Sequence, residues 1–83
     1  RAIDLASARV TLGRESRNDI TIPDINVSRT HAEISLSPQG AWVITDLGST
    51  NGTYVNGRAV ASQPLNEGDY IAMGSTNFVF TLA

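Results

Sequence analysis

Apolar and polar residues alternate with a period of two along most of this chain, in runs only about 3–6 residues long. Val10 and Leu12 flank Thr11, and Ile20 and Ile22 flank Thr21. Ala32, Ile34 and Leu36 alternate with Glu33, Ser35 and Ser37. Trp42 and Ile44, Ile71 and Met73, and Phe78, Phe80 and Leu82 repeat the pattern, with β-branched or aromatic residues in most runs. No window of about 11 residues carries a helical apolar stripe. Turn chemistry separates the runs. Gly13 closes one, Pro23-Asp24 another, and Asn66-Glu67-Gly68-Asp69 a third. Ser37-Pro38-Gln39-Gly40 lies between two clear strands, so Ala32–Ser37 and Ala41–Asp46 should form an antiparallel hairpin. Two Asn-Gly pairs, Asn51-Gly52 and Asn56-Gly57, suit tight turns with positive φ. Many short strands with frequent turns predict an all-β sandwich or barrel. The expected core is Leu12, Ile20, Ile22, Ile34, Leu36, Trp42 or Val43, Ile44, Leu47, Val55, Leu65, Ile71, Phe78 and Phe80.

Length and composition narrow the functions such a scaffold can carry. Eighty-three residues make one small domain, residues 1–83, which buries roughly 60–65% of its unfolded surface. With no cysteine, disulfides, thiolate metal sites and a cysteine nucleophile are excluded together. No apolar stretch approaches the ~18 residues of a membrane span. The chain begins with Arg1 and carries no signal-peptide pattern, so it reads as a fragment of a longer, cytoplasmic protein. A net charge of −2 and a pI near 5.0 argue against nucleic-acid or acidic-membrane binding. All six basic residues are arginine, at 1, 9, 14, 17, 29 and 58. Compositional bias from a high-GC genome accounts for the pattern as a whole. It leaves room for one or two of them to bind an anion, because the guanidinium fork matches carboxylates and phosphates.

Three loops carry polar residues that a plain sandwich does not require. They are Gly13-Arg14, Val27-Ser28-Arg29-Thr30-His31, and Asp46-Leu47-Gly48-Ser49-Thr50-Asn51-Gly52-Thr53. Loops on a rigid β scaffold are where binding residues usually sit. Arg14 offers a charged fork, or is a surface arginine paired with Glu15 or Asp19. The Ser28 hydroxyl is a compact donor, or an ordinary turn residue bonding its own backbone. Arg29 is a second cation, or points to solvent. Asn51 can bracket a ligand peptide bond with its donor and acceptor, or simply supplies a left-handed turn. His31, the sole histidine, is a phosphate-binding or catalytic imidazole beside Ser28, or a buried ring bonding loop backbone.

The blocks Thr11-Leu12-Gly13-Arg14, Ser28-Arg29-Thr30-His31, Gly48-Ser49-Thr50-Asn51-Gly52-Thr53, Val55-Asn56-Gly57 and Leu65-Asn66-Glu67-Gly68-Asp69 together resemble the forkhead-associated (FHA) domain, a reader of phosphothreonine peptides. The resemblance spans essentially the whole chain. It implies a β-sandwich of about eleven short strands with the peptide across loop tips at one end. It implies that Arg14 and Ser28 contact the phosphate, that Arg29 and Thr50 assist, and that Asn51 bonds the ligand backbone. Gly13, His31 and Gly52 then support the site. Asn26, in the loop Ile25-Asn26-Val27, faces the third residue after the phosphothreonine. An uncharged Asn26 leads us to expect no strong demand for an acidic residue there. The implied partner is a threonine-phosphorylated protein or peptide, such as a Ser/Thr kinase or its substrate, in cis or in trans.

A phosphothreonine carries about −1.5 to −2 charges and three acceptor oxygens, so several donors must converge on it. Charged hydrogen bonds of roughly 1.5–3 kcal/mol each, less ordering costs, give affinities near micromolar. No cofactor or metal is implied. An enzyme is disfavoured, since there is no nucleophile elbow, no metal-ligand spacing and no P-loop. The remaining alternative is an interaction domain that uses a sheet face or edge without phosphate. It ranks lower because the exposed alternating positions are mostly Thr, Ser and Glu.

Overall fold

A computed structural model describes residues 8–81, and within them the chain is all β. The strands are β1 (Arg9–Gly13), β2 (Ile20–Thr21), β3 (Ala32–Leu36), β4 (Trp42–Asp46), β5 (Thr53–Val55), β6 (Arg58–Ala59), β7 (Ser62–Pro64), β8 (Tyr70–Met73) and β9 (Thr76–Val79). They form a five-stranded sheet in the order β2-β1-β3-β4-β7 and a four-stranded sheet in the order β6-β5-β8-β9. Only the β1–β2 pair is parallel. Nine strands thus lie among the described residues, where the family pattern implies about eleven. Leu82 falls outside the described residues.

The β3–β4 hairpin has Ile34 opposite Ile44 and Leu36 opposite Trp42. Its turn closes with the Ser37 amide donating to Ala41 O at 2.7 Å. Because strand side chains alternate, one parity of each strand faces the opposite sheet. Leu12, Ile34 and Ile44 of the first sheet meet Val55, Ile71, Met73 and Phe78 of the second, all essentially shielded from water. Each such side chain contributes about 1.5–3 kcal/mol through burial.

Several expected core positions need correction. Leu36 is 43% exposed because it stands at the last position of β3, against the turn. Leu47 is 39% exposed because it lies in the loop after β4, held by its amide to His31 O, with its side chain turned out. Ile20 is only partly buried, and of Trp42 and Val43 it is Trp42 that packs against the core. Val10, Val27, Ala32 and Met73 join the core instead. Alternation does not reveal strands β6 and β7. Pairing creates them, with β7 laid along β4 as an edge strand that tolerates Pro64.

The two outer faces differ. The first sheet shows Thr11, Glu33, Ser35 and Thr45, with Arg9 paired to Glu33 at 2.8 Å. The second shows Tyr54 beside Ala72, and Tyr70 beside Val79, so the exposed positions are not uniformly Thr, Ser and Glu.

Strand direction places the end of β1, the start of β3, the end of β4 and the start of β5 at one end of the sandwich. All three polar loops therefore open on the same rim, and the β8–β9 turn joins them there.

Candidate functional site

The rim is built around the segment 26–28. Arg14 Nε donates to Val27 O at 3.0 Å, and the Arg14 amide donates to Ser28 O at 3.0 Å. The Thr50 amide donates to Ser28 Oγ at 3.0 Å. Asn51 Nδ2 donates to Asn26 O at 2.8 Å. Arg14, Thr50 and Asn51 arrive on different loops, yet all bond one three-residue stretch. Neither carboxylate near Arg14 in sequence claims it, because Glu15 pairs with Arg17 and Asp19 bonds the amide and hydroxyl of Thr11. Its Nη groups have no hydrogen-bond or ion-pair partner among the described residues, and the Arg29 side chain is likewise exposed and unpaired among them.

His31 is fully buried behind this surface. Its Nδ1 accepts from the Ser28 amide at 3.0 Å, and its Nε2 lies 2.9 Å from Gly52 O. An amide can only donate and a carbonyl can only accept, so the proton is assigned to Nε2. Both ring nitrogens are then committed to backbone, and the ring fastens the Ser28 loop to the Gly52 loop. Neither ring nitrogen is turned to the Ser28 hydroxyl, so no hydrolytic pair exists here.

Close approach also holds the loops together. A Cβ on Gly13 would lie 2.3 Å from Arg29 O, so only glycine lets β1 run against the segment that carries Ser28. Asn18 secures the same crossing, its Nδ2 donating to Glu15 O and Arg29 O. At Gly52, φ is +88°, a left-handed conformation that side chains rarely adopt, and Tyr54 lies against its open side.

Two aspartates, Asp46 and Asp24, organise the loops. Asp46 caps the end of β4. Its Oδ1 accepts from the amides of Gly48 and Ser49, and its Oδ2 from the hydroxyls of Ser49 and Thr53. Partial burial pushes its carboxyl up, but the Ser49, Thr53 and Gly48 bonds outweigh that and hold it below the ordinary carboxylate value. Asp24 accepts from the Asn26 amide, the Ser75 amide and the Thr76 hydroxyl. The Asn26 amide is the main cause that lowers its pKa, followed by Thr76. Asn26 Nδ2 donates to Ser75 Oγ, so the 25–27 loop is tied to the β8–β9 turn. An Asp preceding a short polar turn is the signal that could have found both.

A groove of about 480 Å³ runs elsewhere, along Val55, Arg58, Val60 and Gln63. It shares no residue with the rim. The rim itself is an open surface, which suits an extended chain laid across loop tips better than an enclosed small molecule.

A two-sheet sandwich with an interlocked polar rim defines the class, a β-sandwich domain that presents its polar groups on loops. The chain belongs to the FHA domain family, whose model matches residues 10–74. It is similar to the oxoglutarate dehydrogenase inhibitor of Corynebacterium efficiens, with 44% identity over 70 residues, covering 84% of this chain and 49% of that protein. It is likewise 44% identical over 68 residues to the glycogen accumulation regulator GarA of Mycolicibacterium smegmatis, covering 82% of this chain and 42% of that protein. The chain thus spans about half the length, or less, of these relatives. Among solved structures, Mycobacterium tuberculosis EmbR in complex with a low affinity phosphopeptide superposes with a TM-score of 0.89 at 36% identity, covering 95% of this chain and 21% of that one. The FhaA FHA domain complexed with the intracellular domain of Rv3910 gives a TM-score of 0.83 at 36% identity, covering 90% and 81%.

Proposed function

We propose that this chain is a non-catalytic, phosphothreonine-dependent recognition module of Ser/Thr-kinase signalling. Arg14, Ser28, Arg29 and Thr50 hold the phosphate, and Asn51 bonds the ligand backbone. Asn26 meets the third residue after the phosphothreonine, with Gly13, His31 and Gly52 as support. The observation that carries this reading is the convergence of Arg14, Thr50 and Asn51 on residues 26–28, around the Ser28 hydroxyl. Those bonds hold the uncommitted Arg14 Nη groups and the Ser28 hydroxyl at one rim, and such donors suit a multiply charged acceptor. Family membership supports the reading, as do relatives whose structures were solved with a phosphopeptide or in phosphothreonine-dependent interactions. The partner is a threonine-phosphorylated segment, in another protein or elsewhere in a longer chain of which this domain is part. No enzymatic activity is assigned to the domain.

A fluorescence titration with matched peptides carrying phosphothreonine, phosphoserine or threonine tests the proposal. Micromolar binding of the phosphothreonine peptide alone is expected, and equal binding of all three refutes it. Arg14→Ala should abolish that binding while the thermal transition stays within a few degrees, since an exposed loop arginine touches little core.

A further inference from the structure

We infer that Arg17 is a positioning residue that keeps the Glu15 carboxylate away from Arg14, so that the Arg14 guanidinium stays open to the ligand. The inference rests on the reading that Arg14 holds phosphate. Glu15 follows Arg14 directly, and the amides of both are pinned to the Ser28–Arg29 segment, at 3.0 Å to Ser28 O and 3.2 Å to Arg29 O. The Arg14 side chain uses Nε on Val27 O, which leaves its outer guanidinium edge for an anion. A carboxylate tethered one residue away stands at an effective concentration in about the millimolar range, enough to compete with a ligand.

The structure places that carboxylate elsewhere. Arg17 Nε lies 3.0 Å from Glu15 Oε1, and Arg17 Nη2 donates to Thr30 Oγ1 at 3.4 Å. Glu15 Oε1 is shut off from water and has no well-aligned hydrogen bond, so the Arg17 cation is what compensates it. The other rim carboxylates need no such guard. Asp19 is taken up by Thr11, Asp24 by Asn26, Ser75 and Thr76, and Asp46 by Gly48, Ser49 and Thr53. The Arg17 and Glu15 side chains are 74% and 40% exposed, so their pairing adds little to stability. A purely structural pair would therefore leave ligand binding unmoved.

The test uses a fluorescein-labelled phosphothreonine peptide selected from an oriented library, titrated into wild type, Arg17→Ala, Glu15→Gln, the double variant and Arg17→Lys. Arg17→Ala should weaken binding about three- to tenfold at low salt, and less at high salt where the competing ion pair is screened. Glu15→Gln alone should change binding less than about twofold, yet should recover most of the loss when added to Arg17→Ala. Arg17→Lys should bind like wild type, because an ammonium also holds the carboxylate. Circular dichroism should show all variants folded. An unchanged Arg17→Ala overturns the inference. So does a Glu15→Gln gain of equal size in both backgrounds, which would mean simple additive charge. A loss that Glu15→Gln does not rescue overturns it too, in favour of direct ligand contact. If no phosphothreonine peptide binds the wild type, the functional reading fails and this inference fails with it.

Discussion

The Thr50 amide donates to Ser28 Oγ at 3.0 Å, which fills one acceptor position of the hydroxyl and leaves its own hydrogen free to be donated outward. Ser28 is thus set as a donor before any ligand arrives. Ser28→Ala removes both bonds. Binding of a phosphothreonine peptide should fall about 10- to 100-fold, in line with the loss of one charged hydrogen bond. Stability should change by less than about 1 kcal/mol, because the Thr50 amide lies near solvent and can bond water. Isothermal titration calorimetry and thermal denaturation check the two halves.

His31→Ala should act in the opposite proportion. The ring is fully buried and bridges Ser28 N to Gly52 O, so its loss leaves a cavity and two backbone groups without partners. A cost of about 2–4 kcal/mol is expected. In a domain this small that lowers Tm by roughly 10–25 °C. Binding should weaken as well, since both loops lose their shared anchor. Thermal denaturation followed by tryptophan fluorescence reads the first effect through Trp42.

Gly13→Ala sets a methyl against the carbonyl oxygen of Arg29, which is backbone and has no rotamer to escape into. Overpacking of this kind costs about 1–3 kcal/mol, or unfolds a marginal domain outright. Chemical denaturation should show a lowered midpoint, and any folded fraction should bind phosphopeptide poorly because Ser28 and Arg29 are displaced. A wild-type midpoint would overturn this reading of the Gly13 crossing.

Acid should loosen the rim through Asp46. Its folded-state pKa lies below the unfolded value because of the Ser49, Thr53 and Gly48 bonds. The stability from this group is therefore fully present above the ordinary carboxylate pKa of about 3.9 and is lost as pH falls through the lowered folded value. Unfolding curves should show stability declining from about pH 5 downwards. Asp46→Asn should be less stable than wild type at pH 7 and should show a shallower acid decline. Some decline should persist, because the Asp24 carboxyl is lowered in the same direction.

Much of this molecule can be read from local pattern. The β3–β4 hairpin follows from alternation on either side of Ser37-Pro38-Gln39-Gly40, and the observed register pairs Ile34 with Ile44. The three polar loops stand out because their polar residues interrupt an otherwise economical β pattern. Other features do not follow from any local signal. Strands β6 and β7 have weak patterns and exist because neighbouring strands supply their hydrogen-bond partners. Leu36 keeps the inward parity of its strand, but its distance from the sheet end decides its exposure. Asp24 sits 51 positions from Ser75, and no local rule joins them.

The amino-acid order by itself determined the strand-and-turn alternation, the absence of thiol chemistry, and which arginine, serine and asparagine residues stand on loops. These are short-range matters, governed by side-chain periodicity and the φ preferences of Gly, Pro and Asn. Tertiary structure alone decided that Arg14, Thr50 and Asn51 meet on residues 26–28, that His31 spends both nitrogens on backbone, and that Glu15 is held by Arg17 and not by Arg14. Such contacts join loops distant in sequence, and their geometry is set by how two twisted sheets pack and bring their loop ends to one rim.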